Sequence, residues 1–471
     1  MDRANPFKLK LEILFVLFAA VFGVLTIVFS PPMSTPDENT HFYNAYTIAD
    51  GQIFAQQEDG MPGKYIPQNV IDYITENDAE FKQSDSHYSF TDFYFDGALP
   101  ASEESQQRVF KNYFGMNINQ LGYLVQAAGM VFGKVVLSAF QPDYVLPNNL
   151  AMFGELFNLA FYILIVFFAL RITPCFQRTM FLLALMPMSL YQASSLSYDA
   201  PLIALCMLLF AYTMRILADP GYQIGWRDVV VISVIAVFLC AVKQAYAPMM
   251  LILFAIPRTR FGSWKRYFGI IGIVVACGAV AYLVPALINS YLIPSETADY
   301  VLEQQAYVMS HLFEFPYIVL RTLWHEKGFY MEGFFGKLGQ QDTNFPPMFI
   351  VLFYLLLLVT VFYDACEAKM VRFPVKLLAA AGALIMIFGS FYQMYIGWTS
   401  IPEIGGIGVN YVTGIQGRYF IPIAIFIAML FANRFIKTDL KGTVALKRVV
   451  VVAAPLFLTV MLFLLLARYW F

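Results

Sequence analysis

The sequence predicts an all-α polytopic membrane protein, and three observations carry that expectation. Of the 471 residues, 59% are hydrophobic and only 13% charged, with a mean hydropathy of +0.63. A water-soluble domain has about 45–50% apolar and about 25% charged residues, so this chain lacks the charge to cover a water-facing surface. Apolar runs close to the 20 residues needed to cross a bilayer recur along it. Lys and Arg gather in the short connections between alternate runs, the asymmetry that orients membrane helices. The composition excludes an ordinary cytosolic enzyme and a disordered chain. It also excludes a nucleic-acid-binding module, because 30 Lys and Arg against 32 Asp and Glu leave a net charge of -2 and no basic surplus.

The apolar runs fall near residues 11–30, 150–170, 179–197, 200–217, 228–245, 267–290, 347–364, 376–396, 418–433 and 449–467. A shorter run lies at 246–257, which gives about eleven spans. The first run is too long for a signal-peptide core and Ser30-Pro31-Pro32 is a poor cleavage site, so it reads as a retained anchor. With the N-terminus cytoplasmic, about two-thirds of the cations lie in inner connections. These are Arg3, Lys8 and Lys10; Arg171 and Arg178; Arg215 and Arg227; Arg258, Arg260, Lys265 and Arg266; Lys369, Arg372 and Lys376; and Arg434, Lys437, Lys441, Lys447 and Arg448. The C-terminus then lies outside.

The resulting organisation is a cytoplasmic tip with the first helix (1–30), a first extracytoplasmic loop (31–148), helices two to seven (149–290), a second large loop (291–345) and the last four helices (346–471). A shorter outer segment covers 397–417. All four histidines (His41, His87, His311 and His325) fall in the two long loops. The inner connections are short and hold no Gly-rich phosphate loop, so chemistry is expected at the outer face, away from cytosolic nucleotide donors. Cys175, Cys206, Cys240, Cys277 and Cys366 lie in or beside apolar runs and read as small hydrophobes. No internal repeat is visible, which weakens a transporter built from inverted halves.

Directly after the first span comes Thr35-Pro36-Asp37-Glu38-Asn39-Thr40-His41-Phe42. Thr35 as N-cap, Pro36 at N1 and Glu38 at N3 form a capping box, which by itself explains Glu38. Asp37 and His41 are four apart and share one face of the new helix. A carboxylate there can act as general base on an acceptor hydroxyl, with the imidazole orienting it or the substrate. Further along, residues 67–82 read as a short helix. The aromatic and acidic stretch 86–96 suits either stacking on sugar or packing of the loop onto the membrane domain. Residues 117–140, with Lys134 as their only charge, read as an interfacial helix and not a full span.

Charges at membrane edges are costly and point to function. Lys243 ends one span, where it either snorkels to the interface or binds phosphate. Arg418 opens a late span after Gly414-Ile415-Gln416-Gly417, and its planar fork suits a phosphate. Asp199, in Ser197-Tyr198-Asp199-Ala200-Pro201, either caps the next helix or pairs with Lys243 or Arg418. Arg321 and His325 share a face in the second loop, beside Glu326 and Lys327. A charged surface helix explains them, as does a contribution to a donor pocket. No dense carboxylate and histidine cluster is visible beyond Asp37, Glu38 and His41, so no metal ligands are assigned and no cofactor is expected, although a divalent metal stays open.

The first-loop motif resembles that of the GT-C superfamily, polytopic glycosyltransferases that take a sugar from a polyprenyl-phosphate donor at the outer side of the membrane. Protein O-mannosyltransferases carry Asp-Glu-x-His-Phe at this point; here Asp37-Glu38-Asn39-Thr40-His41-Phe42 has one residue more between Glu and His. Along most of its length the chain is similar to a bacterial polytopic membrane family of unknown function, usually placed in that superfamily. The similarity lies in Pro36-Asp37-Glu38 with His41-Phe42, Ser197-Tyr198-Asp199, Lys243 and Gln416-Gly417-Arg418-Tyr419.

The resemblance implies a GT-C type fold with about eleven transmembrane helices and two large extracytoplasmic loops carrying interfacial helices. It implies Asp37 as the catalytic carboxylate, with Glu38 beside it. Arg418, Lys243 and Arg321 would bind the donor phosphate, and His41, Tyr198, Asp199, Gln416 and Tyr419 would orient substrate. The expected partners are a polyprenyl-phosphate-linked sugar, a glycan or lipid-linked acceptor, and membrane lipids, without nucleic acid, at a bacterial plasma membrane. Two alternatives stand beside this. One is a polysaccharide polymerase or ligase with its chemistry on Arg321 and His325; the other is a transporter of a lipid-linked sugar or polymer.

Overall fold

The computed structural model describes residues 10–81, 87–89, 91, 99–100, 107–113, 119–140, 144–145, 147–292, 298–368, 370–433, 435–436 and 438–471. In chain order it runs α1 (Leu11–Phe29), α2 (Glu38–Ala49), β1 (Gln56–Glu58), β2 (Met61–Pro67), α3 (Gln68–Phe81), β3 (Leu99–Pro100) and β4 (Arg108–Lys111). A 3-10 turn at Gln120–Tyr123 leads into α4 (Leu124–Phe140), followed by β5 (Tyr144–Val145), α5 (Pro147–Ile172), α6 (Gln177–Ala184), α7 (Pro187–Ala193), α8 (Asp199–Ala218) and α9 (Trp226–Val242). After a 3-10 helix at Gln244–Ala255 come α10 (Trp264–Leu292), α11 (Asp299–Ser310), α12 (Glu314–His325), α13 (Lys327–Phe335) and the strands β6 (Lys337–Leu338) and β7 (Thr343–Asn344). The chain ends with α14 (Pro347–Glu367), α15 (Phe373–Met394), a 3-10 turn at Gly417–Phe420 running into α16 (Ile421–Leu430), and α17 (Leu440–Tyr469).

Among the described residues eight helices are long and apolar enough to cross a membrane, against the eleven expected, and the chain is a multi-pass membrane protein. The difference has local causes. Residues 179–197 break into α6 and α7 because Pro187 opens a new helix and cannot continue the old one. Residues 246–257 adopt the tighter 3-10 winding with Pro248 inside it. Residues 418–433 start as a 3-10 turn, leaving α16 only 10 residues, and α9, over the expected 228–245, ends before Lys243 after 17 residues, just short of the length counted as a span. In the opposite direction, Gln120–Phe140, expected to lie in the interface, is long and apolar enough to cross. Its Gly129 and Gly133 face Phe153 of α5 so closely that a Cβ at Gly129 would overlap the Phe153 carbonyl oxygen. Such small-residue spacing lets helices approach where lipid offers no hydrophobic drive.

The core is built around α8, whose residues are nearly all buried. It is flanked by α5, α7, α9 and α16, while α1 joins α5 to α17, α10 covers the outside of α9, and α15 lies on the 3-10 helix at Gln244–Ala255. The burial of α8 fixes the position of its first residue, Asp199. On the same face of the bundle, β1, β2 and β4 form an antiparallel sheet with Lys64 opposite Lys111 and Tyr65 opposite Phe110.

The sheet covers α2, and the wholly buried Lys64 donates to Thr47 Oγ1 of α2 at 3.0 Å; burial lowers the Lys64 pKa to about 8. Asp50, just past α2, accepts from Arg108 of β4 at 2.9 Å and pairs with Lys134 of α4. The loop thereby clamps α2 in place. The Tyr88 amide donates to the Tyr469 carbonyl at 2.8 Å and its ring meets Tyr469 and Trp470, so this part of the aromatic stretch packs onto α17. Ser86, Phe90 and residues 92–96 of that stretch lie outside the described residues, as do Arg3, Lys8, Lys369, Arg434 and Lys437. At the other end of the bundle, Arg178 of α6 holds Asp364 and Glu367 of α14 at 2.7 and 2.6 Å.

Candidate functional site

The loop-bearing ends of α2, α8, α9, α10 and α15 enclose a cavity of about 630 Å³. It is lined by Asp37, His41, Tyr198, Asp199, Lys243, Gln416, Arg418 and Tyr419, which is every residue given a role in the glycosyltransferase expectation except Glu38 and Arg321.

Asp37 enters through its backbone. At φ 65° and ψ 10° it is left-handed, a conformation that Asp tolerates better than most L residues. The Pro36–Asp37 turn delays the helix start to Glu38, two residues beyond the expected Pro36 start, and leaves the Asp37 side chain 55% exposed to the cavity. Glu38 points the other way. Its Oε2 accepts from the Thr35 amide and its Oε1 from the Leu196 amide, both at 3.1 Å, and only 1% of the residue is exposed. Burial raises the Glu38 pKa, opposed by these hydrogen bonds. The Thr35 contact is half of the expected capping box; the Leu196 contact ties α2 to the α7–α8 connection. Glu38 does not line the cavity.

His41, one turn on, has Nδ1 2.8 Å from the Tyr123 hydroxyl and lies edge-on to Tyr198 with ring centres 5.3 Å apart. Burial lowers its pKa to about 4 against the opposing charge of Asp37, so the ring is a neutral imidazole at pH 7.

Asp199 faces two cations. Its Oδ1 is 3.8 Å from Lys243 Nζ and its Oδ2 is 3.4 Å from Arg418 Nε. Its amide donates to Ser197 Oγ at 3.1 Å, the local turn that starts α8. Lys243 occupies the break between α9 and the next 3-10 helix, and its ammonium sits 3.5 Å from the Tyr419 ring centre, a cation–π contact. Among the described residues that ammonium makes no hydrogen bond. Arg418 is 7% exposed; its Nη2 reaches Asp37 Oδ2 at 3.4 Å, while its buried Nε has no hydrogen-bond acceptor despite its nearness to Asp199. The backbone before Arg418 is pressed against α13, where a Cβ at Gly417 would overlap the Tyr330 carbonyl oxygen and the Phe334 amide. The Tyr246 hydroxyl holds the Tyr419 carbonyl at 2.8 Å from the other side. The result is a pair of desolvated cations with open donor positions beside an exposed carboxylate.

Residues 20–427 match the DUF2142 family, described as predicted membrane proteins. The chain belongs to that family. Every cavity-lining residue of this DUF2142 member lies within the match, whereas α17 lies beyond it. No curated protein and no solved structure matches the chain.

Arg321 is not brought to this cavity. It lines a second one of about 560 Å³ together with His325, Glu326, Asn410, Tyr411 and Thr413, and Gly414 and Ile415 line both. Among the lining residues that the sequence reading missed, Asn289, Ser390 and Gln393 are polar positions in otherwise apolar runs, and a search for polar as well as ionisable residues in spans would have found them. Tyr123 carries no such signal, because it meets His41 only once Gln120–Phe140 lies beside α2. Among the described residues no three His, Cys, Asp or Glu side chains converge to hold a metal ion, and Asp37 and Asp199 face Arg418 instead.

Proposed function

We propose that this DUF2142 chain is a GT-C type glycosyltransferase that moves a sugar from a polyprenyl-phosphate donor to a hydroxyl of a cell-surface glycan or lipid-linked acceptor, at the outer face of the membrane. The observation that carries this reading is the join between two unlike spaces. The polar cavity holding Asp37, Lys243 and Arg418 meets an apolar groove of about 560 Å³ lined by Cys240, Leu251, Phe254, Ile271 and Val275, and Gln244 and Tyr282 line both. A charged head beside a hydrocarbon slot fits an amphiphile with a phosphate head better than a nucleotide.

In this mechanism Asp37 takes the proton of the acceptor hydroxyl. The acceptor oxygen bonds to the anomeric carbon as the carbon–phosphate oxygen bond breaks, with inversion, and the electron pair leaves on polyprenyl phosphate. Arg418 Nε and the Lys243 ammonium, both without a hydrogen bond among the described residues, neutralise the charge that builds on that phosphate. His41, held neutral against Tyr123 and Tyr198, forms a wall that orients the acceptor without adding a third positive charge. Incubating purified protein in nanodiscs with labelled polyprenyl-phosphate sugars tests the reading: release of polyprenyl phosphate supports it, and absence of turnover with every donor opposes it.

A further inference from the structure

The second cavity gathers Arg321, His325, Glu326 and Asn410, and among the described residues its guanidinium has no partner. Arg321 is half-buried on α12, and among the described residues it forms no ion pair and no hydrogen bond. A guanidinium partly withdrawn from water without a counter-ion is costly unless a ligand completes it. His325 follows one turn later on the same face, and Asn410 and Tyr411 supply polar groups from the facing segment. Glu326 also lines the cavity but stands more than 4.0 Å from Arg321, leaving the guanidinium open while offering an acceptor for hydroxyls.

The adjoining edge of α12 exposes Phe313, Tyr317, Leu320 and Trp324 at helical spacing, an apolar stripe suited to the membrane interface. Gly414 and Ile415, on the segment that leads to Arg418, line both cavities and so form a wall that the two share.

We propose that this second cavity seats an anionic group, a carboxylate or phosphate, on the acceptor, with Arg321 as its two-pronged ligand and His325 as a further donor. Resting on the glycosyltransferase reading, this makes the acceptor an acidic glycan or an anionic lipid-linked one whose attacking hydroxyl reaches Asp37 across the Gly414–Ile415 wall.

The test uses full-length protein carrying Asp37→Asn, so that binding is read without transfer. Galacturonate and inorganic phosphate are titrated as soluble probes, with galactose as the neutral control, in nanodiscs of zwitterionic lipid; a second series replaces the probe with phosphatidylglycerol in the disc. Arg321→Gln should weaken galacturonate binding about ten- to hundredfold, Arg321→Lys should restore part of it, and inorganic phosphate should keep a further, Lys243-dependent site in the first cavity. Binding by the soluble sugar acid identifies the glycan as the source; Arg321-dependent binding by phosphatidylglycerol alone identifies a lipid headgroup. Galacturonate and phosphatidylglycerol binding that both survive Arg321→Gln overturn the proposal, as does failure of both to bind the Asp37→Asn protein. His325→Gln with an unchanged melting temperature serves as the second variant if Arg321→Gln does not fold. Because binding is read in a transfer-dead protein, an Arg321-dependent site can stand even if no donor is ever turned over.

Discussion

The exposed carboxylate of Asp37 lies 3.4 Å from Nη2 of the buried Arg418, a residue 381 positions further along the chain. The Nε of the same guanidinium lies 3.4 Å from Asp199, which also faces Lys243 at 3.8 Å. Two carboxylates and two cations thus alternate around one cavity. The proposed chemistry needs that alternation, with one carboxylate free to accept a proton and the cations free to take a phosphate.

Asp199 is the counter-charge that lets Arg418 and Lys243 sit together out of water. Asp199→Asn should cost about 3–5 kcal/mol, as breaking one side of a buried pair does, and thermal unfolding in detergent will read it. Added inorganic phosphate should raise the melting temperature of this variant more than that of the wild type, because it replaces the missing negative charge. An unchanged melting temperature would show that the cations do not depend on Asp199.

Asp37 and Glu38 should separate under mutation although they are adjacent. Glu38→Gln keeps a buried acceptor oxygen and should retain most of the transfer rate. Glu38→Ala leaves the Thr35 and Leu196 amides without acceptors and should destabilise the fold by about 1–3 kcal/mol per amide. Full loss of transfer in a stable Glu38→Gln protein would instead give Glu38 a chemical role.

Gly417 sets where Arg418 begins. Gly417→Ala should force the backbone away from Tyr330 and Phe334 at a cost of about 1–3 kcal/mol. Donor KM should rise more than kcat falls, since the displaced group binds the phosphate. Steady-state kinetics and a melting curve on the same preparation check both effects.

His41 gives a pH signature. Its folded pKa, lowered to about 4, lies below the ordinary 6.5, so between these values the unfolded chain binds a proton that the folded ring refuses. Stability should therefore fall as pH drops from about 6.5 to about 4, and the His41 contribution should be level outside that window. His41→Gln should flatten this part of the stability curve. An identical slope in the variant would remove His41 as its source.

Much of the site was legible because ionisable residues are scarce here. In a chain so apolar, Lys243, Asp199 and Arg418 at span ends stood out, and Asp37 did so by following the first span directly. Sequence spacing carried no sign that Asp37 meets Arg418, which requires the whole bundle to close. Nor did it show that Glu38 turns inward, because the left-handed backbone of Asp37 reverses the direction of the neighbouring side chain. Apolar runs also differ from the helices: hydropathy reads 179–197 as one span, whereas Pro187 divides it, and Gln120–Phe140, read as interfacial, is long and apolar enough to cross. Arg321 was grouped with the other cations by type, and only the fold assigns it to the second cavity.

The central claim, that Asp37 is the base in transfer from a polyprenyl-phosphate sugar, is tested most directly by one comparison. Wild-type and Asp37→Asn proteins in nanodiscs are given the same labelled donors with membrane-derived acceptors, and released polyprenyl phosphate is measured. The wild type should consume a donor, and Asp37→Asn should do so about a hundredfold more slowly or less, with an unchanged melting temperature. Equal turnover by the two proteins, or no donor consumed by the wild type, would contradict the account.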